Sequence, residues 1–414
     1  MGGWTVIAAF ACVCAGTQLL WLTYAPIATG TAHYYGVSVA AVGWLAEIFP
    51  LLYVVLAIPA GRLLDSHFRP ALAAGGALMA AGALLRLGGP AFAWGMAGQL
   101  AIAVAQPVVL SAISKLAGEY LPPDQRPVGI AVGSAASFAG MLFALILGPT
   151  LGAHGQIERL LAVEAVFAVL AALALALALR RPGQESGERA AIEGGAARAL
   201  WALPAMRTMC GLVFVGFGVF VALATWLQTL LHPSGVSEQG AGALLAGMVL
   251  TGIAGCAVLP PLLARRGAER AFLRGAVLTS AVGCAALGAF SLLGARAAVV
   301  AVMGFVMLPA LPVVLTAAER LAGAAAGTAG AIVWMAGNLG GLVVALIVQV
   351  LVHEPLAAFL AMAAISLLGL PFAARFPRSG QPPVPAAIPD AAEGPAASHR
   401  SRPSPPRAGR SGRP

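Results

Sequence analysis

Apolar residues in this 414-residue chain come in long, nearly unbroken runs separated by short polar connectors. Twelve runs of spanning length fall at about 4–29, 39–63, 70–89, 93–115, 127–150, 158–179, 207–231, 239–263, 271–293, 297–317, 327–352 and 355–375. Each approaches or exceeds the roughly 20 apolar residues that a helix needs to cross a ~30 Å hydrocarbon core. No run alternates with period two, so a membrane β-barrel is not indicated. The pattern predicts an all-α polytopic membrane protein with twelve transmembrane helices. The first run begins at Trp4 with no basic region ahead of it and no small-residue cleavage site, so it reads as a retained span.

The connectors give the organisation. The longest internal one, 180–206, contains RRPGQESGERAAIEGG and follows the sixth run. It predicts a six-helix bundle over 1–179, a linker over 180–206 and a second six-helix bundle over 207–375. Residues 376–414, rich in Pro, Ser, Ala and Arg, read as a disordered tail. A repeat supports the division. PVVLSAISKLAG (Pro107 to Gly118) returns as PVVLTAAERLAG (Pro312 to Gly323), with eight of twelve positions identical. Both copies end an even-numbered span on the same side, which is the mark of a parallel repeat.

Composition closes off other classes. Hydrophobic residues make up 60% and charged residues 9%, against ~25% charged in soluble domains. That is too little charge to clothe a soluble surface. The net charge of +9 would suit nucleic acid if it formed a patch, but its placement reports topology instead. With the N-terminus placed inside, 21 of the 24 basic residues fall on inside connectors and the tail; only Arg86, Arg159 and Arg296 fall outside. This positive-inside bias puts both termini in the cytoplasm. Arginine outnumbers lysine 23 to 1 and alanine is abundant, which suggests a GC-rich bacterial source and hence the bacterial inner membrane. The five cysteines lie in or beside apolar runs at spacings that suit neither a disulfide framework nor a metal site. No phosphate-binding loop, metal-ligand cluster or catalytic constellation is present, so no cofactor, metal or enzyme activity is expected.

The connector GRLLDSHFR, Gly61 to Arg69, resembles the loop between spans two and three of the major facilitator superfamily. Gly61, Leu63, Asp65 and Arg69 match that signature, and Phe68 stands where a glycine is usual. The resemblance implies two six-helix bundles that rock about a central cavity, and gating by this loop. Gly61 permits close helix approach, while Asp65 can cap a helix N-terminus or pair with an arginine across the interface. Gly61, Asp65, Arg69 and Arg126 are the expected gating residues. The corresponding PLLARRGAER, Pro261 to Arg270, is basic without an aspartate, so the lock is expected on one side only.

WLTYAPIATGTAHYYGVS (Trp21 to Ser38) and WLAEIFPLLYVVLAIPAGRLLD (Trp44 to Asp65) are similar to the feline leukaemia virus subgroup C receptor family. The match covers Trp21, Tyr24, Tyr35, Gly36, Trp44, Tyr53, Pro59 and Asp65. It implies transport of choline, ethanolamine and related molecules, haem also having been proposed, with Trp21 at the cationic headgroup. The family's span-five glutamine falls near Ala135 and its span-seven tyrosine near Phe220 or Val221, so its aromatic cage is incomplete here.

The residues themselves name the site candidates. Trp21 and Tyr24 sit three apart on one helix and can hold a cation through their ring faces; packing or interface aromatics are the alternative. Polar side chains at depth are costly unless they meet a cavity or a partner. Gln99 with Gln106, Thr225 with Gln228, and Trp334 with Asn338 each share a helix face and complete the substrate-contact set; interhelical hydrogen bonding is their alternative task. Glu47 and Glu164 are the two acids inside spans, read as proton-coupling groups or counter-charges. Gly148-Pro149-x-x-Gly152 resembles part of the drug/proton antiporter motif. The expectation is a monomeric secondary transporter of a small organic solute, an amine or cation being one option. Proton-coupled export of hydrophobic compounds and a non-transporting receptor are the alternatives. The partners expected are the solute and the lipid bilayer, with proton coupling open and no nucleic acid.

Overall fold

The apolar runs fold as helices because a bilayer offers no water to satisfy a peptide group, so each N–H must find its carbonyl within the segment. The computed structural model describes residues 2–152, 156–183 and 196–377. Much of the 180–206 linker and nearly all of the 376–414 tail lie outside the described residues. The described residues all belong to one compact unit. Every regular element among the described residues is helical.

The first half of the chain contains α1 (Gly2–Leu22), α2 (Ala28–Tyr35), α3 (Val39–Ser66), α4 (Phe68–Leu85), α5 (Phe92–Tyr120), α6 (Arg126–Leu151) and α7 (Ile157–Ala178). A short α8 (Ala196–Ala202) closes the linker. The second half contains α9 (Pro204–Leu231), α10 (Glu238–Arg266), α11 (Glu269–Ala289), α12 (Leu293–Met307), α13 (Ala310–Ala322), α14 (Ala326–Val350), α15 (Pro355–Leu367) and α16 (Leu370–Arg375).

Eleven stretches are long and apolar enough to cross a membrane, so the protein is a multi-pass membrane protein. One of them, Leu293–Val350, has 58 residues. It is broken at Leu308–Pro309 and at Gly323–Ala325. At 1.5 Å per residue its helices are long enough for two crossings, which is why twelve apolar runs appear as eleven stretches.

The halves echo each other in detail. Gly36 (φ 64°) and Gly235 (φ 81°) take the left-handed conformation that glycine tolerates. Each is followed by Val and Ser, and the serines, Ser38 and Ser237, cap α3 and α10 by accepting from the amides of Ala41 and Gly240. This Gly-Val-Ser recurrence is a second trace of the repeat, at the junctions before α3 and α10.

Helices in lipid gain no hydrophobic energy by touching, so close approach at small residues holds them together. A Cβ on Gly140 would lie 2.0 Å from the Ala15 carbonyl oxygen, and one on Gly340 would lie 2.0 Å from that of Phe214. These contacts fasten α6 to α1 and α14 to α9, the corresponding pairs of the two halves. We predict that Gly140→Val or Gly340→Val lowers thermal stability in detergent strongly. Over-packing costs about 1–3 kcal/mol even where the neighbour can move, and here the neighbour is backbone. Scanning fluorimetry of the purified protein checks this, and an unchanged melting temperature would contradict it.

Candidate functional site: a cleft closed at one end

The faces of α3 and α14 meet at one end and part toward the other. A Cβ on Gly61 would sit 2.7 Å from Thr328 Cα, so the two helices touch backbone to backbone there. Steps of seven along each helix keep to nearly one face. On α3 the series Gly61, Val54, Glu47 runs from buried through half-buried to exposed. On α14 the series Thr328, Met335, Leu342, Gln349 does the same. The two helices are thus buried against each other at this end and increasingly exposed toward the other.

Its closed end is held by a carboxylate seated on a helix start. Asp65 accepts from the amide N–H groups of Gly327 (2.9 Å) and Thr328 (2.8 Å), and from the Thr328 hydroxyl at 2.5 Å. The charge therefore lies on the positive end of α14, where its orphan amides point. Lys115 Nζ donates to Asp65 Oδ1 at 3.1 Å and to the Ala324 carbonyl at 3.0 Å. Arg126 Nη1 donates to Glu319 Oε1 at 3.1 Å, a second charged link between the halves. The Ser114 hydroxyl donates to the Leu315 carbonyl at 3.3 Å. Asp65 thus caps the opposite helix and takes a lysine of its own half, with no arginine as ion-pair partner among the described residues. Arg69 lies beside Tyr120, within the first half.

Above this end sits an aromatic layer drawn from both halves. The Trp334 ring lies 6.4 Å from Tyr53 and 5.7 Å from Phe217, and Phe138 lies 6.0 Å from Phe220. Tyr53 and Ser111 share a hydrogen bond of 3.1 Å. Buried Trp334 Nε1 and Gln106 Nε2 have no hydrogen-bond partner among the described residues.

The other candidates separate into groups. Trp21 is half-buried, tilted against Phe49 at 6.3 Å, and donates through Nε1 to the Ala46 carbonyl at 3.0 Å. Tyr24 does not join it: it is buried in a separate cluster, its hydroxyl 3.0 Å from that of Tyr35. No Trp21–Tyr24 clamp is formed. Gln99 is fully buried and donates to the Leu20 and Leu45 carbonyls, tying α5 to α1 and α3. Thr225 and Gln228 are exposed, and the Thr225 hydroxyl returns to the Val221 carbonyl. Asn338 donates to the Trp334 carbonyl of its own helix. Glu47 is exposed on α3 and has no hydrogen-bond or ion-pair partner among the described residues.

Glu164 has a partner that sequence order concealed. Arg86, counted above as an outside connector residue, is fully buried. Its Nη2 donates to Glu164 Oε2 at 2.9 Å and its Nη1 to Thr23 Oγ1 at 3.1 Å; Thr23 in turn donates to the same carboxylate oxygen at 2.8 Å. The guanidinium also lies 5.9 Å over the Tyr24 ring. Gly98 makes the space, since a Cβ there would sit 2.4 Å from Arg86 Cγ. Arg296, also counted as outside, is buried and donates to Ser234 Oγ at 2.7 Å. Sequence reasoning also missed Glu319, Thr328, Ser111 and Trp226. The last donates to the Ala345 carbonyl at 3.0 Å. A Trp-Leu pair at the ends of two corresponding spans, Trp21-Leu22 and Trp226-Leu227, was the available signal.

The profile of the Major Facilitator Superfamily matches residues 6–345. The chain belongs to that superfamily. Among curated relatives, solute carrier family 49 member A3 of Danio rerio is 29% identical over 279 residues, which is 62% of this chain and 58% of the relative. The human choline/ethanolamine transporter FLVCR2 is 28% identical over 152 residues, 36% of this chain and 29% of that one. The chain therefore matches little more than half the length of the first relative and less of the second. In fold it is similar to the crystal structure of the human organic anion transporter MFSD10, with TM-score 0.72 and 17% identity over 90% of this chain and 99% of that one.

The buried ion pair yields a prediction. Removing one partner strands a charge in a dry site, at a cost of about 3–5 kcal/mol, whereas replacing both by apolar groups is often neutral. Arg86→Met should destabilise the protein sharply, and Arg86→Met with Glu164→Leu should recover most of the loss. A double-mutant cycle on thermal stability reads this directly, and additive losses would refute it.

Proposed function

We propose that the chain is a secondary transporter that moves a small organic solute by alternating access, with amines and organic cations as the leading class. The observation that carries this reading is the closed end, where Asp65 sits on the N-terminus of α14 and exposure rises along α3 and α14 away from it, the pattern of a cleft between the halves. Membership of the superfamily and the printed activity of FLVCR2 support it. The basic residues around the closed end make that end cytoplasmic by the positive-inside rule. The structure is then the outward-open state, with both termini inside a bacterial inner membrane and one chain forming the transport unit. Residues 1–179 and 207–375 act as the two rocking bodies.

Within this reading Glu47 is the counter-charge. It is an acid exposed in the cleft wall with no cation beside it, and an organic cation would supply one. Glu164 already holds Arg86 and Thr23, and its task is structural. Trp334 and Gln106 offer unpaired donors near the floor, while Trp21, Thr225, Gln228 and Asn338 border the path. Gly61, Asp65, Arg69 and Arg126 serve the inner gate.

Two outcomes are expected. In proteoliposomes, labelled tetramethylammonium or choline should enter down its gradient, and Glu47→Gln should raise KM about tenfold, the worth of roughly 1.4 kcal/mol, without creating or removing dependence on a pH gradient. Flux that appears only with a pH gradient and vanishes in Glu47→Gln would instead favour proton-coupled exchange. No flux of any solute would refute transport. Asp65→Asn removes the charge from the α14 start and weakens bonds worth about 1.5–3 kcal/mol each. Maleimide labelling of Cys210, buried beside Ile332, should therefore rise about tenfold or more. Unchanged labelling, read by peptide mass spectrometry, would refute the gating role.

A further inference from the structure

Helix α3 carries two prolines in its interior, Pro50 and Pro59. Pro50 has no N–H, so the carbonyl one turn back, that of Ala46, loses its helical donor. A carbonyl left without a donor at membrane depth needs another partner. A different helix supplies it. Trp21 Nε1 donates to the Ala46 carbonyl at 3.0 Å, so the indole fills the gap that the proline opens.

A second tie to the same place is independent of the first. Gln99 of α5 is fully buried, and its Nε2 donates to the Leu20 carbonyl at 3.2 Å and to the Leu45 carbonyl at 3.0 Å. Those residues immediately precede Trp21 and Ala46. Because α1 ends at Leu22, the Leu20 carbonyl is itself one of the orphan acceptors of a helix end. One amide therefore clamps the two backbones on which the indole and its acceptor are mounted. The second half is built differently. By the Gly-Val-Ser register Pro50 corresponds to Val249, which keeps its N–H, and Trp226 bonds α14 rather than α10.

We propose that Pro50 divides α3 into a shaft and a hinged arm, residues 39–49, and that Trp21 is the latch that holds the arm, with Gln99 as the clamp at its base. The latch spends the indole N–H, so Trp21 has only its ring to offer any other group. Glu47 directly follows Ala46, and the latch therefore also fixes the backbone of this carboxylate relative to the Trp21 ring. On the transport reading, which this last step requires, a cation that touches both groups ties the arm down further.

The test is hydrogen–deuterium exchange of the peptides covering residues 40–49, read by mass spectrometry on the full chain in nanodiscs. Wild type, Trp21→Phe, Pro50→Ala and the double variant are compared. Phenylalanine keeps a ring but has no N–H. Trp21→Phe should speed exchange of the arm about fivefold, the worth of one hydrogen bond. Pro50→Ala returns an N–H to the helix ladder and should slow exchange below the wild-type rate. In that background Trp21→Phe should change the rate by less than about twofold, since Ala46 then has a donor of its own. Lost indole bulk cannot be repaired by an N–H at residue 50, so the rescue separates a latch from packing. An equal effect of Trp21→Phe in both backgrounds would overturn the proposal. If Trp21→Phe does not fold, Pro50→Ala alone decides: slower exchange supports the hinge, and an unchanged rate overturns it. Saturating tetramethylammonium should slow the wild-type arm about threefold. A cation that is transported without changing the arm would sever the latch from the solute. If no cation binds or moves, the transport reading fails, and the four ligand-free proteins still decide the latch.

Discussion

Nothing in a lipid solvent presses two apolar helices together, and that constraint shapes this whole protein. Contact has to come from fit, and fit between helices is closest where a side chain is missing. Gly140 against Ala15 and Gly340 against Phe214 fasten corresponding pairs within each half. Gly61 against Thr328, and Gly330 with its absent Cβ 2.9 Å from the Ser111 carbonyl oxygen, bring the halves together at one end. The first two contacts lie within a half. The others lie between the halves, where hydrogen bonds and ion pairs add to the close fit.

Polar groups divide along the same line. Inside the first half, Arg86, Glu164 and Thr23 form a dry cluster joined by three hydrogen bonds, which leave Arg86 Nε and Glu164 Oε1 without a partner among the described residues. Tyr24 and Tyr35 close over it, with a Cβ on Gly95 excluded by the Tyr35 hydroxyl at 2.8 Å. Between the halves, the charged links gather at the closed end, where Asp65, Lys115, Arg126 and Glu319 meet. In the cleft itself the acid is alone. Charge buried within one half, charge between the halves and exposed charge therefore occupy three separate places.

Much of the fold was legible in the sequence because length and hydropathy are properties of single segments. The apolar runs located the helices to within a few residues, and the repeated PVVL segments implied corresponding helix ends. The Asp65 loop was legible as a gate candidate for the same reason: its glycine and acid are neighbours in the chain. What the sequence hid was pairing across distance. Arg86 is 78 residues from Glu164, and its position next to a polar turn made it look like a loop cation. Tyr24 stands three residues from Trp21, yet the chain turns at Ala25–Ile27 and carries it into another cluster. Gln99 could not be told from a ligand contact until its two carbonyl partners were seen.

The lock at the closed end is unequal in its materials. One half contributes a side chain, the Asp65 carboxylate; the other contributes mainly main-chain amides of Gly327 and Thr328. Main-chain N–H groups survive every substitution except proline. Yet the start of α14 is constrained by space: a Cβ on Gly327 would sit 2.6 Å from Asp65 Oδ1, so a side chain there would displace the carboxylate it binds. An inventory of tolerated variants would therefore show an intolerant acid facing an intolerant glycine, one held by its charge and the other by its size.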